Sequence, residues 1–211
     1  YTHSFSRHSN RGYFETVVDQ KAMKKGIFTV VVDNYRPDIC EKTLPTIKSY
    51  ADKIGAEHII ISGRKFPEWP ATYEKMQIFE LGKNYDFCIL IDADMMVASN
   101  APDFTTGILP GYVGVLEAFN ADNLFQKDEY FIKDGRNIGL ASNFVITDKE
   151  THKLWEPLDM AWEEARKKTK REFIIDEYCL SRNLAKYGFK FTGLNYSDEV
   201  VWLFHHLGAT T

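Results

Sequence analysis

The sequence predicts an α/β fold with a mostly parallel central sheet, helices on both of its faces and a smaller second part. Short apolar, β-branched runs alternate with segments of helical periodicity, which is the element order of proteins with such a sheet. Polar and acidic residues follow two of these runs directly, and ligands collect beyond the carboxyl ends of parallel strands. With 211 residues, 44% of them hydrophobic, the chain can form one domain with a sizeable core.

The amino-terminal half predicts three strands separated by two helices. After a polar lead-in, strands are predicted at residues 27–32, 57–61 and 87–91, with helices at residues 41–53 and 73–81 between them. Gly and Pro residues mark 63–70 as a loop. Strand, loop and helix in this order begin a Rossmann-like unit.

The carboxyl-terminal half has a different pattern. Strands are predicted at residues 112–119 and 140–147, with a polar loop at 120–139 between them. Helices are predicted at residues 148–155, 158–170 and 173–187, followed by a short strand at 189–191 and a last apolar run at 200–204. Pro157 separates the first two helices, and Gly188 ends the third.

Composition excludes several classes of function. A net charge of −4 supplies no basic surface for nucleic acid. Three widely spaced cysteines predict reduced thiols in or near the core, and hence a cytoplasmic protein, in the host cytoplasm if the source is viral. No run approaches the roughly 20 apolar residues of a membrane span. The chain begins at Tyr1, which predicts a fragment of a longer polypeptide, and a monomer is favoured.

Two carboxylates, Asp92 and Asp94, close the apolar run at 87–91. If the strand geometry continues through them, their side chains point to the same side. Two unpaired like charges that lie close together repel, so a divalent cation beside them is the simplest explanation for the acidic pair. The alternative is an acidic strand end that only caps the following turn.

The segment Ile-Leu-Ile-Asp92-Ala93-Asp94-Met-Met-Val resembles the D-x-D element of nucleotide-sugar glycosyltransferases with the GT-A fold. The resemblance extends in element order over most of residues 27–208. The chain is similar in particular to catalytic domains of glycosyltransferases encoded by chlorella viruses, and more distantly to glycogenin-type retaining transferases. It implies one GT-A domain over 1–211, with a nucleotide-binding half at 27–97 and a donor-sugar and acceptor half at 98–211.

The resemblance implies a Mn²⁺ or Mg²⁺ ion that bridges the phosphates of a UDP-sugar. Asp94 matches a direct metal ligand, and Asp92 a metal or ribose contact. His205 and Gly208 match a carboxyl-terminal H-x-x-G, in which the histidine is a third ligand and the glycine lets backbone approach the phosphate. His206 is the alternative ligand. The pattern also allows that neither histidine binds metal and that the residue only packs at a strand end. The lysine and aromatic residue that follow the glycine in glycogenin-type enzymes are absent here.

The end of the first strand matches the uracil and ribose site of the family. The resemblance implies contacts from Val31, Val32, Asp33, Tyr35 and the D-x-D backbone at Ala93, with the tyrosine ring on the base. An Asx-turn would explain Asp33 equally well. Lys75 matches a lysine that pairs with the acidic motif or the nucleotide, and Arg64 is a weaker candidate cation. A plain surface lysine is the alternative for Lys75.

Ser142, Asn143, Asp176 and Glu177 match positions that bind the donor sugar in related retaining enzymes. Helix capping is the alternative for Asp176. The segment reads Ala-Ser-Asn-Phe instead of N-x-G, which leaves the sugar open. If the reaction inverts the anomeric centre, the candidate bases are Asp176, Asp198 and Glu199. The tryptophans at 69, 155, 162 and 202 are candidates for an acceptor platform, although most are expected in the core.

The predicted function is therefore transfer of a hexose, such as glucose, from a UDP-sugar to a glycan or protein-linked glycan, with retention. The alternatives are a catalytically weak nucleotide-sugar-binding module and a nucleotidyltransferase. An aspartyl-phosphate phosphatase is disfavoured because strands precede the acidic motif.

Overall fold

A six-stranded sheet is the centre of the fold in the computed structural model, which describes residues 23–194 and 203–204. The strands are β1 (Lys25–Val30), β2 (Ala56–Ile61), β3 (Phe87–Ile91), β4 (Met96–Val97), β5 (Tyr112–Val115), β6 (Ala118–Asn120), β7 (Ile138–Leu140), β8 (Phe144–Asp148), β9 (Lys190–Gly193) and β10 (Leu203–Phe204). The α-helices are α1 (Pro37–Ile54), α2 (Ile78–Leu81), α3 (Glu129–Asp134), α4 (Trp162–Ala165) and α5 (Ile175–Tyr187). Several 3₁₀ turns connect them, the longest at Ala71–Gln77.

The main sheet has the order β2-β1-β3-β8-β5-β9. All of its strands run parallel except β8, which is antiparallel to both β3 and β5. The predicted α/β class with a mostly parallel sheet is confirmed.

Two apolar cores lie on the two faces of this sheet, because neighbouring residues of each strand point to opposite sides. Ile27 and Ile89 belong to the core beneath α1, whereas Phe28 and Leu90 belong to the core beneath α5. All four are fully buried. Helices therefore cover both faces, as the sequence predicts.

One edge of the sheet collects the chain segments that carry the candidate residues. β1 and β3 are parallel, with Phe28 opposite Leu90, so both strands end at this edge. β8 is antiparallel, with Phe144 opposite Ile91, so the segment that precedes it lies at the same edge. This topology brings residues 31–36, 92–95 and 141–143 together.

The predicted elements of the second half are wrong in detail. Each of the strands predicted at 112–119 and 140–147 is two strands, and β6 pairs with β7 in a separate two-stranded sheet. The predicted loop at 120–139 contains α3. The helices predicted at 148–155 and 158–170 are reduced to the turn His152–Trp155, α4 and the turn Arg166–Lys168. Pro157 explains only why no helix continues from one of these segments into the other, since proline removes a backbone donor.

The chain returns at β10 to the segment that follows the acidic pair. Leu203 pairs with Val97 and Phe204 with Met96, in antiparallel register. The three cysteines are free and buried, as predicted. In the described part of the chain, no helix combines the length and the apolar character that crossing a membrane requires.

Candidate active site

The two acidic residues lie in a turn that begins directly after β3. The strand ends at Ile91, and the Met95 amide donates to the Asp92 carbonyl at 3.0 Å. The alternation of side chains along a strand therefore does not apply to Asp92 and Asp94. The premise that they lack a counter-charge from the protein is also wrong, because Lys75 pairs with Asp92.

Lys75 is the centre of the buried polar cluster. Its Nζ lies 2.9 Å from Asp92 Oδ1 and 2.9 Å from Asp176 Oδ2, and it donates to the carbonyl and Oγ of Ser142 at 3.0 and 2.9 Å. The side chain is buried, which by itself lowers the pKa of an amine, but the two carboxylates outweigh burial and raise the pKa of Lys75. Lys75 is therefore a charged link between the acidic turn and α5, and not a surface lysine.

Asp176 lies under this cluster at the start of α5 and is 1% exposed. Its Oδ2 accepts from Ser142 Oγ at 2.6 Å as well as from Lys75. Asn143 follows Ser142 in the chain, and its backbone carbonyl accepts a hydrogen bond from the Asp92 amide at 2.9 Å. Asn143 Oδ1 is buried and has no partner in the described part of the chain, which leaves a polar atom for a ligand hydroxyl.

Two carboxyl groups of the site titrate far from their usual range. Burial raises the pKa of Asp92 to about 6, although Lys75 opposes the rise. Burial also raises the pKa of Glu177 to about 7, with a further contribution from the charge of Asp176. Such shifts are typical of functional sites, where carboxylates are held partly out of water.

The loop after β1 brings Tyr35 over the acidic turn. Its hydroxyl donates to Asp94 Oδ2 at 3.1 Å. Burial raises the pKa of Tyr35 to about 12, and Asp94 adds to the rise, so the hydroxyl keeps its proton. Three nearby residues have left-handed backbone, with φ of 53° at Asp33, 55° at Asn34 and 33° at Arg36. Left-handed backbone costs free energy outside glycine and is common at ligand sites.

Arg64 holds the loop at 63–70 in place. It pairs with Asp33, donates from Nε to Glu74 Oε1 at 2.8 Å, and donates to the carbonyls of Phe66, Pro67 and Trp69. Glu74 is fully buried and also accepts from the amides of Lys65 and Phe66. The guanidinium of Arg64 is thus engaged by the protein, and its contact with a nucleotide stays a prediction.

A cleft with a cavity volume of about 130 Å³ lies between the end of β1 and the acidic turn. It is lined by Val30, Val32, Tyr35, Ala71, Thr72, Lys75, Asp92, Ala93 and Asp94. Pockets for whole small ligands measure roughly 300–1,000 Å³, so this cleft encloses only part of a nucleotide sugar. Val31 faces a neighbouring cavity instead.

The donor set of the acidic turn fits a hard divalent cation, which prefers carboxylate oxygen. Asp92 and Asp94 are the candidate ligands, with Asp92 Oδ1 paired with Lys75 and Asp94 Oδ2 accepting from the Tyr35 hydroxyl. Within residues 23–194, no group of three His, Cys, Asp or Glu side chains could complete a metal site. The predicted third ligand, His205 or His206, and the predicted phosphate contact at Gly208 lie outside the described residues, as do Asp198, Glu199 and Trp202.

Trp155 belongs to the core, as predicted for most of the tryptophans. It is fully buried, and its Nε1 donates to Thr147 Oγ1 at 2.7 Å. Trp69 stacks on Tyr73 at 4.0 Å and packs against Trp162. Their use as an acceptor platform stays a prediction.

Sequence reasoning missed Glu74 and Thr72. Glu74 orders the loop through four contacts, with Arg64, Gln77 and two amides, and Thr72 lines the cleft. Glu74 stands between Tyr73 and Lys75 in the sequence, as a solvated acid on a helix could. A buried acid needs buried partners, but no local sequence signal identifies Glu74 as buried.

Two comparisons with solved structures agree with this architecture. The bifunctional glycosyltransferase WbbM is similar with a TM-score of 0.52 and 14% identity, over 82% of this chain and 39% of WbbM. A glycosyltransferase involved in the glycosylation of the major capsid of PBCV-1 is similar with a TM-score of 0.54 and 12% identity, over 89% of this chain and 94% of that one.

The chain has the GT-A glycosyltransferase fold. The fold predicted from the resemblance is thereby confirmed. No family model and no curated protein matches the chain by sequence. This GT-A domain corresponds to about two fifths of the length of WbbM, since it covers 39% of that chain.

Proposed function

We propose that this GT-A domain is a metal-dependent glycosyltransferase that moves a hexose from a UDP-sugar to a glycan or protein-linked glycan. The observation that carries the proposal is the acidic turn at the sheet edge. Asp92 and Asp94 lie there in one cleft with Val30 at the end of β1 and with Val32 and Tyr35. An apolar wall, a flat ring and two carboxylates are the groups that a base, a ribose and a metal-bound diphosphate require.

In this proposal each side of the cleft has its own task. Val32 and Tyr35 hold the uridine from within the cleft, Val31 and Asp33 contribute from beside it, and Asp94 and Asp92 hold Mn²⁺ or Mg²⁺. The ion would supply charge neutralisation on the departing diphosphate. His205, which lies outside the described residues, is the third ligand of this proposal.

The donor sugar would lie on the side of Ser142, Asn143 and α5. Retention of configuration is part of the proposal, with the departing phosphate taking the acceptor proton and the protein supplying orientation. If the reaction inverts, Glu177 becomes a candidate base, because a pKa of about 7 suits proton abstraction near neutral pH. The anomeric configuration of the product, measured by NMR, separates the two courses.

Calorimetric titration of UDP with and without Mn²⁺ tests the proposal. Wild-type protein should bind UDP more tightly with Mn²⁺ than without it. Asp94→Asn removes a charged ligand, so the UDP affinity measured with Mn²⁺ should fall by about 10-fold or more. Asp52→Asn is the matched control, because Asp52 is an exposed carboxylate paired with Lys48 on α1. UDP binding that is indifferent to Mn²⁺, or an Asp94→Asn variant equal to Asp52→Asn, contradicts the proposal.

Turnover separates the two alternatives. Slow hydrolysis of one UDP-sugar with Mn²⁺ supports a transferase, whereas binding without turnover of any UDP-sugar supports a binding module. Release of pyrophosphate from UTP and a sugar phosphate would identify a nucleotidyltransferase.

A further inference from the structure

Tyr35 stands between two cavities at the end of β1. Its ring lines the cleft that contains Asp94, and it also lines a neighbouring cavity bounded by Val31 and Cys40. The side chain is 42% exposed, so a ligand can reach the ring. The hydroxyl at the end of this ring reaches Asp94 Oδ2 at 3.1 Å.

The backbone of Tyr35 is held from both sides. Its amide donates to the Val32 carbonyl at 3.0 Å, and its carbonyl accepts from Cys40 Sγ at 3.2 Å. Left-handed conformations at Asn34 and Arg36 place the residue between two bends. The side chain of Tyr35 is therefore held over the acidic turn by a backbone that is locally strained.

The carboxylate that Tyr35 contacts has a different environment from its neighbour. Asp92 pairs with the buried ammonium of Lys75, and Asp94 Oδ2 accepts a hydrogen bond from the Tyr35 hydroxyl. Carboxylates that bind metals are oriented by such outer partners, and removal of a partner costs 10- to 100-fold in affinity in typical metal sites.

We propose that the Tyr35 hydroxyl is a positioning group for Asp94, so that one side chain serves the nucleobase with its ring and the metal ligand with its hydroxyl. This inference rests on the proposed function, because it requires a metal at Asp94. A nucleotide that packs on the ring restricts its rotamers and thereby holds the hydroxyl on the carboxylate. Nucleotide and metal should then strengthen each other's binding through Tyr35, and this coupling is reciprocal.

Tyr35→Phe tests the inference, because it removes the hydroxyl and keeps the ring. Free Mn²⁺ is measured by electron paramagnetic resonance in titrations with and without saturating UDP, and UDP affinity without metal is measured by calorimetry. Tyr35→Phe should lower Mn²⁺ affinity in the presence of UDP by about 10-fold and leave metal-free UDP affinity within about twofold. Tyr35→Ala should lower both affinities.

Tyr85→Phe is the matched control. Its hydroxyl also donates to a carboxylate, that of Glu57, but it precedes β3, at the opposite end of that strand from Asp94. Tyr85→Phe should therefore bind Mn²⁺ as the wild type does. Equal or tighter Mn²⁺ binding by Tyr35→Phe overturns the inference alone, and tighter binding would mean that the hydroxyl competes with the metal. Absence of Mn²⁺ binding by the wild-type protein overturns both the inference and the metal dependence of the proposed function.

Discussion

The carboxyl group of Glu177 titrates near neutral pH in the folded protein. Burial and the neighbouring charge of Asp176 raise its pKa from 4.5 to about 7, against the opposing charge of Lys75. Between these two pH values the folded protein holds a proton that the unfolded chain has released. The stability contributed by this group is therefore present below pH 4.5 and is lost as the pH rises through 7.

Glu177→Gln should remove this dependence, because glutamine carries no titrating proton. At pH 8 the variant should be more stable than the wild type by about 1 to 3 kcal/mol, since one unit of pKa corresponds to about 1.4 kcal/mol and the site is partly open to solvent. The gain should shrink towards pH 5. Urea unfolding at pH 5, 6.5 and 8 measures it.

The exposed carboxylate Glu80 provides the control for this experiment. It pairs with Lys83, which holds the pKa of Glu80 below its usual range. Glu80→Gln should accordingly show no gain in stability at high pH. A difference between Glu177→Gln and the wild type that is the same at all three pH values would contradict the assigned pKa.

At the scale of single residues, the sequence identifies chemical groups but not their contacts. Asp92 and Asp94 are predictable because they follow an apolar run, whereas Lys75 and Asp176 are predicted from the resemblance to GT-A glycosyltransferases. The structure joins three of them through Lys75. The contact of Tyr35 with Asp94 spans 59 residues of sequence, and it depends on the pairing of β1 with β3. No local pattern encodes such a distance.

At the scale of elements, the first half of the sheet was predictable and the second half was not. β1, β2 and β3 are apolar runs bounded by polar loops. In the second half, the strands predicted at 112–119 and 140–147 run through the polar residues Glu117, Ser142 and Asn143, where the structure ends one strand before it begins the next. β8 pairs with β3 and β5, whereas β7 pairs with β6, so the choice of partner breaks each run in two. This break leaves Ser142 and Asn143 outside any strand and beside the acidic turn.

Gly188 ends α5, the helix that carries Asp176 and Glu177. Its φ of 65° is left-handed, and a methyl group added at its Cα would meet no neighbouring atom within 4 Å. Gly188→Ala should therefore cost about 1 kcal/mol of unfolding free energy from backbone strain alone. Gly63→Ala is the matched control, since its surroundings are equally open and its φ is not left-handed. Chemical denaturation compares the two, and equal stabilities would contradict strain at the end of α5.

At the scale of the whole molecule, residues 27–97 and the described residues after 97 share one sheet and both of its cores. β3 of the first half pairs along its length with β8 of the second. The core beneath α5 combines Phe28 and Tyr73 with Trp155 and Tyr178. Lys75 adds a buried ionic link between the halves through Asp176. Residue 97 is therefore not a boundary between folding units.

The described domain should accordingly unfold in one cooperative transition, because neither half can bury its side of the shared core alone. Trp69 and Trp155 lie in different halves, so tryptophan fluorescence and far-UV circular dichroism should give the same midpoint in urea. A fragment ending at residue 97 exposes the edge of β3 and loses the partners of Phe28 and Tyr73, and it should show no cooperative transition. Separate midpoints for the two probes, or a fragment that unfolds cooperatively, would mean that the halves fold independently and that the cleft lies between two domains.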